Sequence, residues 1–366
     1  MSTAATVAIL RARGQPYSLE TVELVDPGPG QILVRIRACG ICFTDVGVQR
    51  YEQGTPLPQV LGHEGAGEVL MVGDGVSHVA PGDKVVISYA SCGACNSCTH
   101  DHPQYCGNFM ALNYSGVLDD GRVPMRQGES AVYGGFFGQS AFATHAIAYA
   151  RNVVKAPDLP FTSLAPFGCG MQTGAGTMYN TLAPQAGQSV AVIGAGSVGL
   201  AALMAAADLA AGPIIAVDKV ASRLALALEL GATHTILADG SNLTEALRAI
   251  VPTGVDRIVD TTGVSAVIRA GLEALASRGE MAMLAVTAPG TEITFNPNVM
   301  LGGRALRGAV EGDADPQVFI PWLIARHMAG RFPHDRLITP YPLSAINEAV
   351  ADMAAGKVIK PVLVMD

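Results

Sequence analysis

The glycine-rich run at residues 194–199 constrains the fold of this chain more than any other feature. It reads Gly-Ala-Gly-Ser-Val-Gly, follows the apolar strand pattern of residues 190–193, and opens an apolar helical pattern that ends near residue 210. A strand, a loop with glycines at this spacing and a helix together let the backbone approach a pyrophosphate at the helix N-terminus. We therefore predict that Gly194, Gly196 and Gly199 bind a dinucleotide.

The same alternation of strands and helices continues after this loop. Apolar strand patterns occupy residues 189–193, 214–217, 235–237, 257–259 and 280–285, and helical patterns occupy 198–210, 222–230, 243–250 and 265–275. Such alternation predicts an α/β domain in which helices cover a parallel sheet. Asp218 ends the second strand, where a carboxylate binds the adenosine ribose hydroxyls and repels a 2′-phosphate, so we expect NAD rather than NADP.

The remainder of the chain has different patterns. Residues 1 to about 160 contain short strands separated by turns, such as the alternating stretch 31–37, and predict a mostly β domain. The tail combines helical patterns at 317–328 and 343–355 with a strand pattern at 361–365. We predict three segments, which are a first domain at 1–170, a dinucleotide-binding domain at 171–310, and a segment at 311–366 that returns to the first domain.

Charge and hydropathy narrow the partners and the location. The net charge is −8 and no Lys/Arg cluster is present, which favours small-molecule ligands and excludes nucleic acid or an anionic membrane surface. The first residues have neither the basic region nor the apolar run of a signal peptide, so we predict a cytoplasmic protein. Residues 189–207 are long and apolar enough for a membrane span, but the loop glycines interrupt them, and we predict no membrane helix.

The seven cysteines indicate metal sites rather than disulfides, because a reducing compartment does not preserve disulfides. Cys92, Cys95, Cys98 and Cys106 lie in one short segment, at about 91–106. Four thiolates at this spacing predict a closed tetrahedral zinc site that orders its loop. His100 and His102 lie between the third and fourth cysteines, and we expect them to be solvated because four thiolates already complete the shell.

A second candidate metal set is dispersed along the chain. Cys42, His63 and Cys169 would supply two thiolates and one imidazole, which is a catalytic zinc set with a fourth position left for substrate. Each of the three residues taken separately is a weak signal, since a lone histidine more often packs in a core or lies on a surface. Cys39 is the cysteine left over, and we assign it to packing.

These motifs, taken together, resemble those of the zinc-dependent medium-chain alcohol dehydrogenases. The stretch 62–64, Gly-His-Glu, the four-cysteine lobe, the dinucleotide loop and the third dispersed cysteine occur in the order and approximate spacing of that family. The resemblance extends over essentially the whole chain. It implies a GroES-like, mostly β catalytic domain, a Rossmann doubly wound parallel sheet, NAD, two zinc ions per chain, and a homo-oligomer that is either a dimer or a tetramer.

The resemblance also implies roles for individual residues near the catalytic zinc. Residues 168–176 and 136–140 look most like the aryl (benzyl) alcohol dehydrogenases, and the geraniol-type allylic enzymes look similar. The implied roles are zinc ligation by Cys42, His63 and Cys169, a hydroxyl bonded to the substrate oxygen at Thr44, orientation of His63 by Asp45, a carboxylate near the metal at Glu64, and a substrate pocket lined by Phe136 and Phe137. Ordinary core packing is the alternative for the two phenylalanines.

For the coenzyme, the resemblance implies that Thr173 and Val198 pack on the nicotinamide, Arg223 reaches the adenosine ribose, and Lys360 reaches the pyrophosphate. Two positions depart from the better-known family pattern. Phe43 stands where many relatives place Arg or His to hold the pyrophosphate, and Gly47 stands where a histidine often relays the proton. Coenzyme affinity and the proton exit route are therefore the two properties that the resemblance does not define.

The sequence is compatible with three functions. The first is reversible, zinc-dependent oxidation of primary aromatic or allylic alcohols to aldehydes with NAD. The second is a thiol-adduct-dependent formaldehyde dehydrogenase of the same fold, which would need cationic residues for the carboxylates of the thiol. The third is a non-catalytic NAD(H)-binding protein, which the intact set of Cys42, His63 and Cys169 disfavours. We predict the first.

Overall fold

The structure is a computed structural model that describes residues 3–51, 54–288 and 290–365. The chain divides into two compact units. The first contains Met1–Cys169, Asp315–Ile324 and Asp335–Asp366, and the second contains Gly170–Ala314 and Ala325–His334. Met1 and Ser2, the first two residues of the N-terminal segment that lacks signal-peptide features, lie outside the described residues.

The first unit is built mainly from short strands. In chain order its strands are β1 (Thr3–Leu10), β2 (Ser18–Leu24), β3 (Gln31–Gly40), β4 (Gln59–Val60), β5 (Glu64–Val72), β6 (Lys84–Ile87), β7 (Met125–Gln127), β8 (Ser130–Val132), β9 (His145–Tyr149) and β10 (Val153–Lys155). The helices that lie between these strands or directly after β10 are α1 (Phe43–Arg50), α2 (Asn96–Thr99), α3 (Phe109–Tyr114) and α4 (Phe161–Leu164). Its core includes buried apolar residues of these strands, such as Ile32, Val34 and Ile36 of β3, together with residues of the loops and helices that pack on them.

The second unit is a parallel sheet with helices. It contains α5 (Gly170–Gly176), β11 (Val190–Ile193), α6 (Ser197–Asp208), β12 (Ile214–Asp218), α7 (Ala221–Glu229), β13 (His234–Leu237), α8 (Leu243–Ile250), β14 (Val255–Asp260), α9 (Ser265–Ala274), β15 (Leu275–Met283) and β16 (Ala305–Gly308). The strand order is β13-β12-β11-β14-β15-β16, and every neighbouring pair is parallel. The order reverses between β11 and β14, as in a doubly wound sheet.

The tail completes the sheet of the first unit. It contains α10 (Pro316–Met328), β17 (Ile338–Pro342), α11 (Ile346–Ala354) and β18 (Lys360–Val364). β18 pairs antiparallel with β3 and parallel with β17, which places the tail in a seven-stranded sheet ordered β10-β6-β5-β3-β18-β17, with β9 also paired to β3. A second, five-stranded sheet has the order β4-β1-β2-β7-β8. The predicted fold class, a doubly wound parallel sheet with a mostly β domain, is confirmed.

Two details differ from the sequence-based expectation. Residues 325–334 belong to the second unit rather than to the returning segment, because Arg326 and Arg331 both pair with the buried carboxylate of Asp208. The strand expected at 280–285 begins already at Leu275 and carries an irregular register opposite Val255. Residues 277–279 of this strand read Ser-Arg-Gly and interrupt the apolar pattern, so the pattern does not show the strand start. Arg278 also has a positive φ.

The apolar stretch 189–207 forms strand β11 and the twelve-residue helix α6. None of the helices among the described residues has the length and apolar character that crossing a bilayer requires.

Candidate active site

Asp45 organises the first part of the site, where β3 leads into α1. Cys42 caps α1, and its backbone N–H donates to Asp45 Oδ2 at 3.0 Å. Asp45 Oδ1 accepts from the backbone N–H of Gly62 at 3.0 Å and lies 3.0 Å from His63 Nδ1. Asp45 and His63 are both fully buried. The carboxylate therefore requires the proton on Nδ1 and leaves the lone pair of the ring on Nε2.

The three predicted ligands of the dispersed set lie together. One ligand atom from each of Cys42, His63, Glu64 and Cys169 lies within 4.8 Å of the others. His63 Nε2 is buried and has no hydrogen-bond partner among the described residues. Two sulfurs and an imidazole nitrogen aimed at one point fit a zinc ion with a fourth position open.

A close approach of two chain segments brings Cys169 to this cluster. A Cβ on Gly168 would lie 2.3 Å from the carbonyl oxygen of Ile87, so only glycine lets the chain pass β6 at this distance. The hydroxyl of Ser88 then donates to the carbonyl of Gly168 at 2.7 Å, in a buried position. Cys39, in contrast, is fully buried outside both cysteine clusters.

The protonation equilibria reflect this crowding of polar groups. A hydrogen bond with Cys169 and the neighbouring imidazole of His63 hold the pKa of the Cys42 thiol well below its usual range, although burial acts in the opposite direction. Burial raises the pKa of Glu64 to about 7, although the ammonium group of Lys360 opposes this rise. The site therefore favours a thiolate at Cys42, which is the form that ligates a metal.

Lys360 lies at Glu64 rather than at an exposed position. Its Nζ is 2.8 Å from both carboxylate oxygens of Glu64 and donates to the carbonyl of Ile41 at 3.1 Å. Both side chains of the ion pair are fully buried, and Gly40 leaves the space for the carboxylate. The resemblance implied that Lys360 reaches a pyrophosphate. The structure pairs it with Glu64, because burial of either charge alone would be costly, and its contact with a pyrophosphate stays a prediction.

Thr44 and the two departures from the family pattern lie on α1. Thr44 Oγ1 lies 3.7 Å from Cys42 Sγ, which is within the range of a hydrogen bond to sulfur. Thr44 is partly exposed. The side chain of Phe43 is 57% exposed, so it does not belong to the core. Gly47, in the next turn, has no side chain that could carry a proton.

Phe136 and Phe137 pack on the imidazole of His63. The ring of Phe137 stacks on it at 4.6 Å between centroids, and the ring of Phe136 meets it edge-on at 5.5 Å. Both rings are buried, and Phe137 has a φ of 52°, which is unusual for a bulky residue. The sequence interpretation left pocket lining and core packing open, and the structure places both rings directly against a candidate zinc ligand.

Three residues near the site had no role in the sequence interpretation. The amide of Gln139 accepts from the backbone N–H of Gly65 at 2.9 Å and donates to the carbonyl of His63 at 2.9 Å, which fixes the loop to the ligand strand. Phe109 and Tyr114 of α3 pack on the Phe136–Phe137 pair at ring distances of 5.4–6.0 Å. Gln139 follows the aromatic pair in sequence, but nothing in the pattern indicates that α3 reaches it.

The four-cysteine lobe has the geometry of a closed zinc site. Sulfur–sulfur distances are 3.9 Å for Cys92–Cys98, 3.5 Å for Cys95–Cys98 and 3.9 Å for Cys95–Cys106. A tetrahedron with zinc–sulfur bonds of about 2.3 Å has edges of about 3.8 Å, so the four sulfurs fit a zinc ion. Backbone N–H groups donate to the sulfurs, and they lower the pKa of Cys95 to about 6. His100 and His102 are exposed.

Each of the three glycines in the glycine-rich loop of the second unit has a different structural role. Gly194 has a φ of 97°, and a Cβ on Gly199 would lie 1.8 Å from the carbonyl oxygen of Gly194. A Cβ on Gly196, in contrast, would meet no heavy atom within 4 Å, so the space above it is open at the N-terminus of α6. A turn, an open cradle and a close packing contact are what a pyrophosphate loop requires.

The other predicted coenzyme residues also lie in the second unit. Asp218 ends β12, where its carboxylate accepts from the backbone N–H groups of Ala195 at 2.7 Å and Val220 at 2.8 Å. Arg223 lies in the first turn of α7, and its Nε is buried without a hydrogen-bond partner among the described residues. Val198 is in α6, and Thr173 is in α5. Asp218 and Arg223 fit the adenosine ribose of a dinucleotide, and the nicotinamide contacts of Thr173 and Val198 stay predictions.

Comparison with known proteins decides the family. The alcohol dehydrogenase GroES-like domain matches residues 28–158, and the zinc-binding dehydrogenase domain matches residues 197–325. The geraniol dehydrogenase of Castellaniella defragrans is 43% identical over 98% of this chain and 97% of its own length. The chain belongs to the zinc-dependent medium-chain alcohol dehydrogenases.

Two solved structures of this family share the whole fold. The benzyl alcohol dehydrogenase of Acinetobacter calcoaceticus is 37% identical, and each chain covers 100% of the other with a TM-score of 0.96. An alcohol dehydrogenase zinc-binding domain protein from Burkholderia ambifaria is 46% identical, again with complete coverage of both chains, and has a TM-score of 0.98. The predicted family and fold are thereby confirmed, whereas the cytoplasmic location and the dimer or tetramer stay predictions.

Proposed function

We propose that this alcohol dehydrogenase oxidises primary aromatic or allylic alcohols to aldehydes, with NAD as the hydride acceptor, and that the reaction is reversible. The observation that carries the proposal is the aromatic pair Phe136–Phe137 packed on His63, whose free nitrogen points into the Cys42–Cys169 cluster. An apolar, aromatic surface beside the metal ligands suits a flat, unsaturated substrate. The names of the geraniol and benzyl alcohol relatives support the same substrate class.

The chain would hold two zinc ions with different functions. Cys42, His63 and Cys169 would hold the catalytic ion, and Cys92, Cys95, Cys98 and Cys106 would hold the structural one. Zinc at the first site would supply Lewis acidity, which makes an alcohol hydroxyl easier to deprotonate near neutral pH. Asp45 keeps the lone pair of His63 on Nε2. Glu64 and Lys360 form an ion pair beside these ligands, in which the two charges neutralise each other.

The remaining residues of the site would orient the alcohol and move its proton. The hydroxyl of Thr44 would bond the substrate oxygen and accept its proton, and a positioned group of this kind contributes ~10²–10⁴-fold. Because Gly47 cannot relay the proton, water beside α1 would take it to the surface. Phe136 and Phe137 would exclude bulk water, which strengthens the electrostatic effects of the site.

The second unit would bind NAD. The open space above Gly196 would accept the pyrophosphate, and Asp218 with Arg223 would bind the adenosine ribose. Thr173 and Val198 would pack on the nicotinamide. A 2′-phosphate beside the carboxylate of Asp218 would be repelled, which favours NAD over NADP.

The test is a direct assay of zinc-loaded protein with NAD and either benzyl alcohol or geraniol, monitored by formation of NADH. We expect turnover with both alcohols and loss of turnover in Cys169→Ala. A parallel assay with formaldehyde and glutathione should be much slower. Activity only with formaldehyde and the thiol would replace this proposal by the thiol-adduct reaction, and NAD binding without any alcohol turnover would indicate a non-catalytic protein.

A further inference from the structure

A strained acidic loop follows the last strand of the parallel sheet. Glu311, Gly312 and Asp313 come shortly after β16, and their φ values are 50°, 68° and 50°. Non-glycine residues rarely adopt this left-handed conformation, and such strain is kept mainly at functional sites. The side chain of Glu311 is nonetheless buried, with only 6% of the residue exposed. A buried acid on a strained loop requires a physical reason.

The loop is fixed to the segment that begins with α5. Glu311 Oε2 accepts from Gln172 Nε2 at 3.1 Å and from Thr173 Oγ1 at 3.4 Å. Asn180 Nδ2 donates to the carbonyl of Gly312 at 3.0 Å, and Thr181 Oγ1 donates to Asp313 Oδ2 at 2.7 Å. All of these contacts lie within the second unit. The first two contacts position the Glu311 carboxylate, and the other two hold the loop that carries it.

The position of Glu311 in the sheet indicates which part of a dinucleotide it meets. The order of strands reverses between β11 and β14, and dinucleotides bind across the carboxyl ends of the strands at such a reversal. The pyrophosphate loop follows β11 and Asp218 ends β12, so one half of the sheet takes the adenosine. Strands β14 to β16 remain for the other nucleoside. Glu311 comes three residues after the end of β16, on the side of that second nucleoside.

We propose that Glu311 sets the relative affinity of this protein for NAD⁺ and NADH. This inference rests on the proposed use of NAD. The nicotinamide ring is a cation in NAD⁺ and neutral in NADH, whereas the rest of the molecule is the same. A fixed carboxylate in a buried site attracts the cationic ring and gives the neutral ring no comparable attraction. Glu311 thus favours NAD⁺ and release of NADH after the alcohol has been oxidised.

The first test measures the affinities of wild-type protein and Glu311→Gln for both forms of the coenzyme. Calorimetry gives the value for NAD⁺, and fluorescence of the reduced ring gives the value for NADH. Glutamine keeps an oxygen that can accept from Gln172 and Thr173. We expect NAD⁺ affinity to fall about tenfold in Glu311→Gln and NADH affinity to change less than about twofold. The matched control is Asp313→Asn, which neutralises the other acid of the loop and should leave the ratio unchanged.

A second measurement uses wild-type protein alone and does not depend on the folding of a variant. A dinucleotide with benzamide in place of nicotinamide has the shape of NAD⁺ but a neutral ring. Wild-type protein should bind NAD⁺ about tenfold more tightly than this analogue. Equal affinities for the two, or an unchanged NAD⁺/NADH ratio in a folded Glu311→Gln, would overturn the role of Glu311. Wild-type protein that binds none of the dinucleotides would overturn the proposed function itself.

Discussion

The carboxylate of Asp45 lies 3.0 Å from Nδ1 of His63, and this contact defines the direction of Nε2, the nitrogen that we propose binds zinc. The same carboxylate accepts from the backbone N–H groups of Cys42 and Gly62. One buried acid therefore connects the first cysteine of the cluster, at the start of α1, with the histidine just before β5. The geometry of the proposed zinc ligands therefore depends on a residue that is not itself one of them.

The first prediction concerns Asp45→Asn. An amide can still contact Nδ1, but it lacks the charge that favours a proton there, so zinc affinity and activity should each fall ~10–100-fold. Zinc content after dialysis against a weak chelator and kcat with benzyl alcohol check this. Asp74→Asn, at an exposed position, is the control. Full zinc retention and activity in Asp45→Asn would contradict the orienting role.

The second prediction separates the two metal sites. Purified protein should contain two zinc ions per chain. Cys95→Ala should lose one ion and a large part of its thermal stability, because the lobe gains its order from coordination. Cys169→Ala should also lose one ion but unfold near the wild-type temperature without activity. The experiment combines metal analysis with thermal unfolding, and one metal per chain in active wild-type protein would contradict it.

The third prediction concerns coenzyme choice. Like charges ~4 Å apart near a protein surface repel by about 4 kcal/mol, so NAD should exceed NADP in kcat/KM by orders of magnitude. Asp218→Asn should narrow this gap and preserve an oxygen for the backbone N–H of Ala195 or Val220. Kinetics with both coenzymes test it. Equal use of NADP by the wild type would show that Asp218 does not face the ribose.

The fourth prediction concerns the aromatic pair. Phe137→Leu removes the ring stacked on His63, and Phe109→Leu removes a ring that contacts Phe137 but belongs to α3. Both variants should lose ~1–2 kcal/mol of unfolding free energy. Only Phe137→Leu should raise KM for benzyl alcohol, by roughly three- to tenfold, because aromatic contacts contribute about 0.5–1.5 kcal/mol. Equal KM effects in the two variants would indicate that Phe137 serves packing alone.

Much of this molecule could be predicted from its sequence because the informative residues are chemically special. Cysteines at short spacing and glycines between a strand and a helix are each typical of only a few kinds of site, so the family and the fold class were correctly predicted. The strand and helix patterns of residues 189–275 were also informative, since apolar periodicity is local. Beyond them, β15 starts earlier than its apolar pattern shows.

What the sequence did not reveal depends on long-range contacts. Lys360 pairs with Glu64 across 296 positions of the chain, and no local pattern encodes that pair. The assignment of residues 325–334 to the second unit depends on Arg326 and Arg331 meeting Asp208. The left-handed conformation of Glu311 is equally invisible, because glutamate has no preference for it.

The most direct test of the proposed reaction follows the hydride itself. Zinc-loaded wild-type protein is incubated with NAD⁺ and benzyl alcohol that carries two deuterium atoms on the alcohol carbon, and both products are analysed by mass spectrometry. We expect one deuterium in each molecule of reduced coenzyme and one in each molecule of benzaldehyde, with neither product formed by Cys169→Ala. Reduced coenzyme without deuterium, or benzaldehyde formed without reduced coenzyme, would contradict the claim that this chain transfers hydride from an aromatic alcohol to NAD.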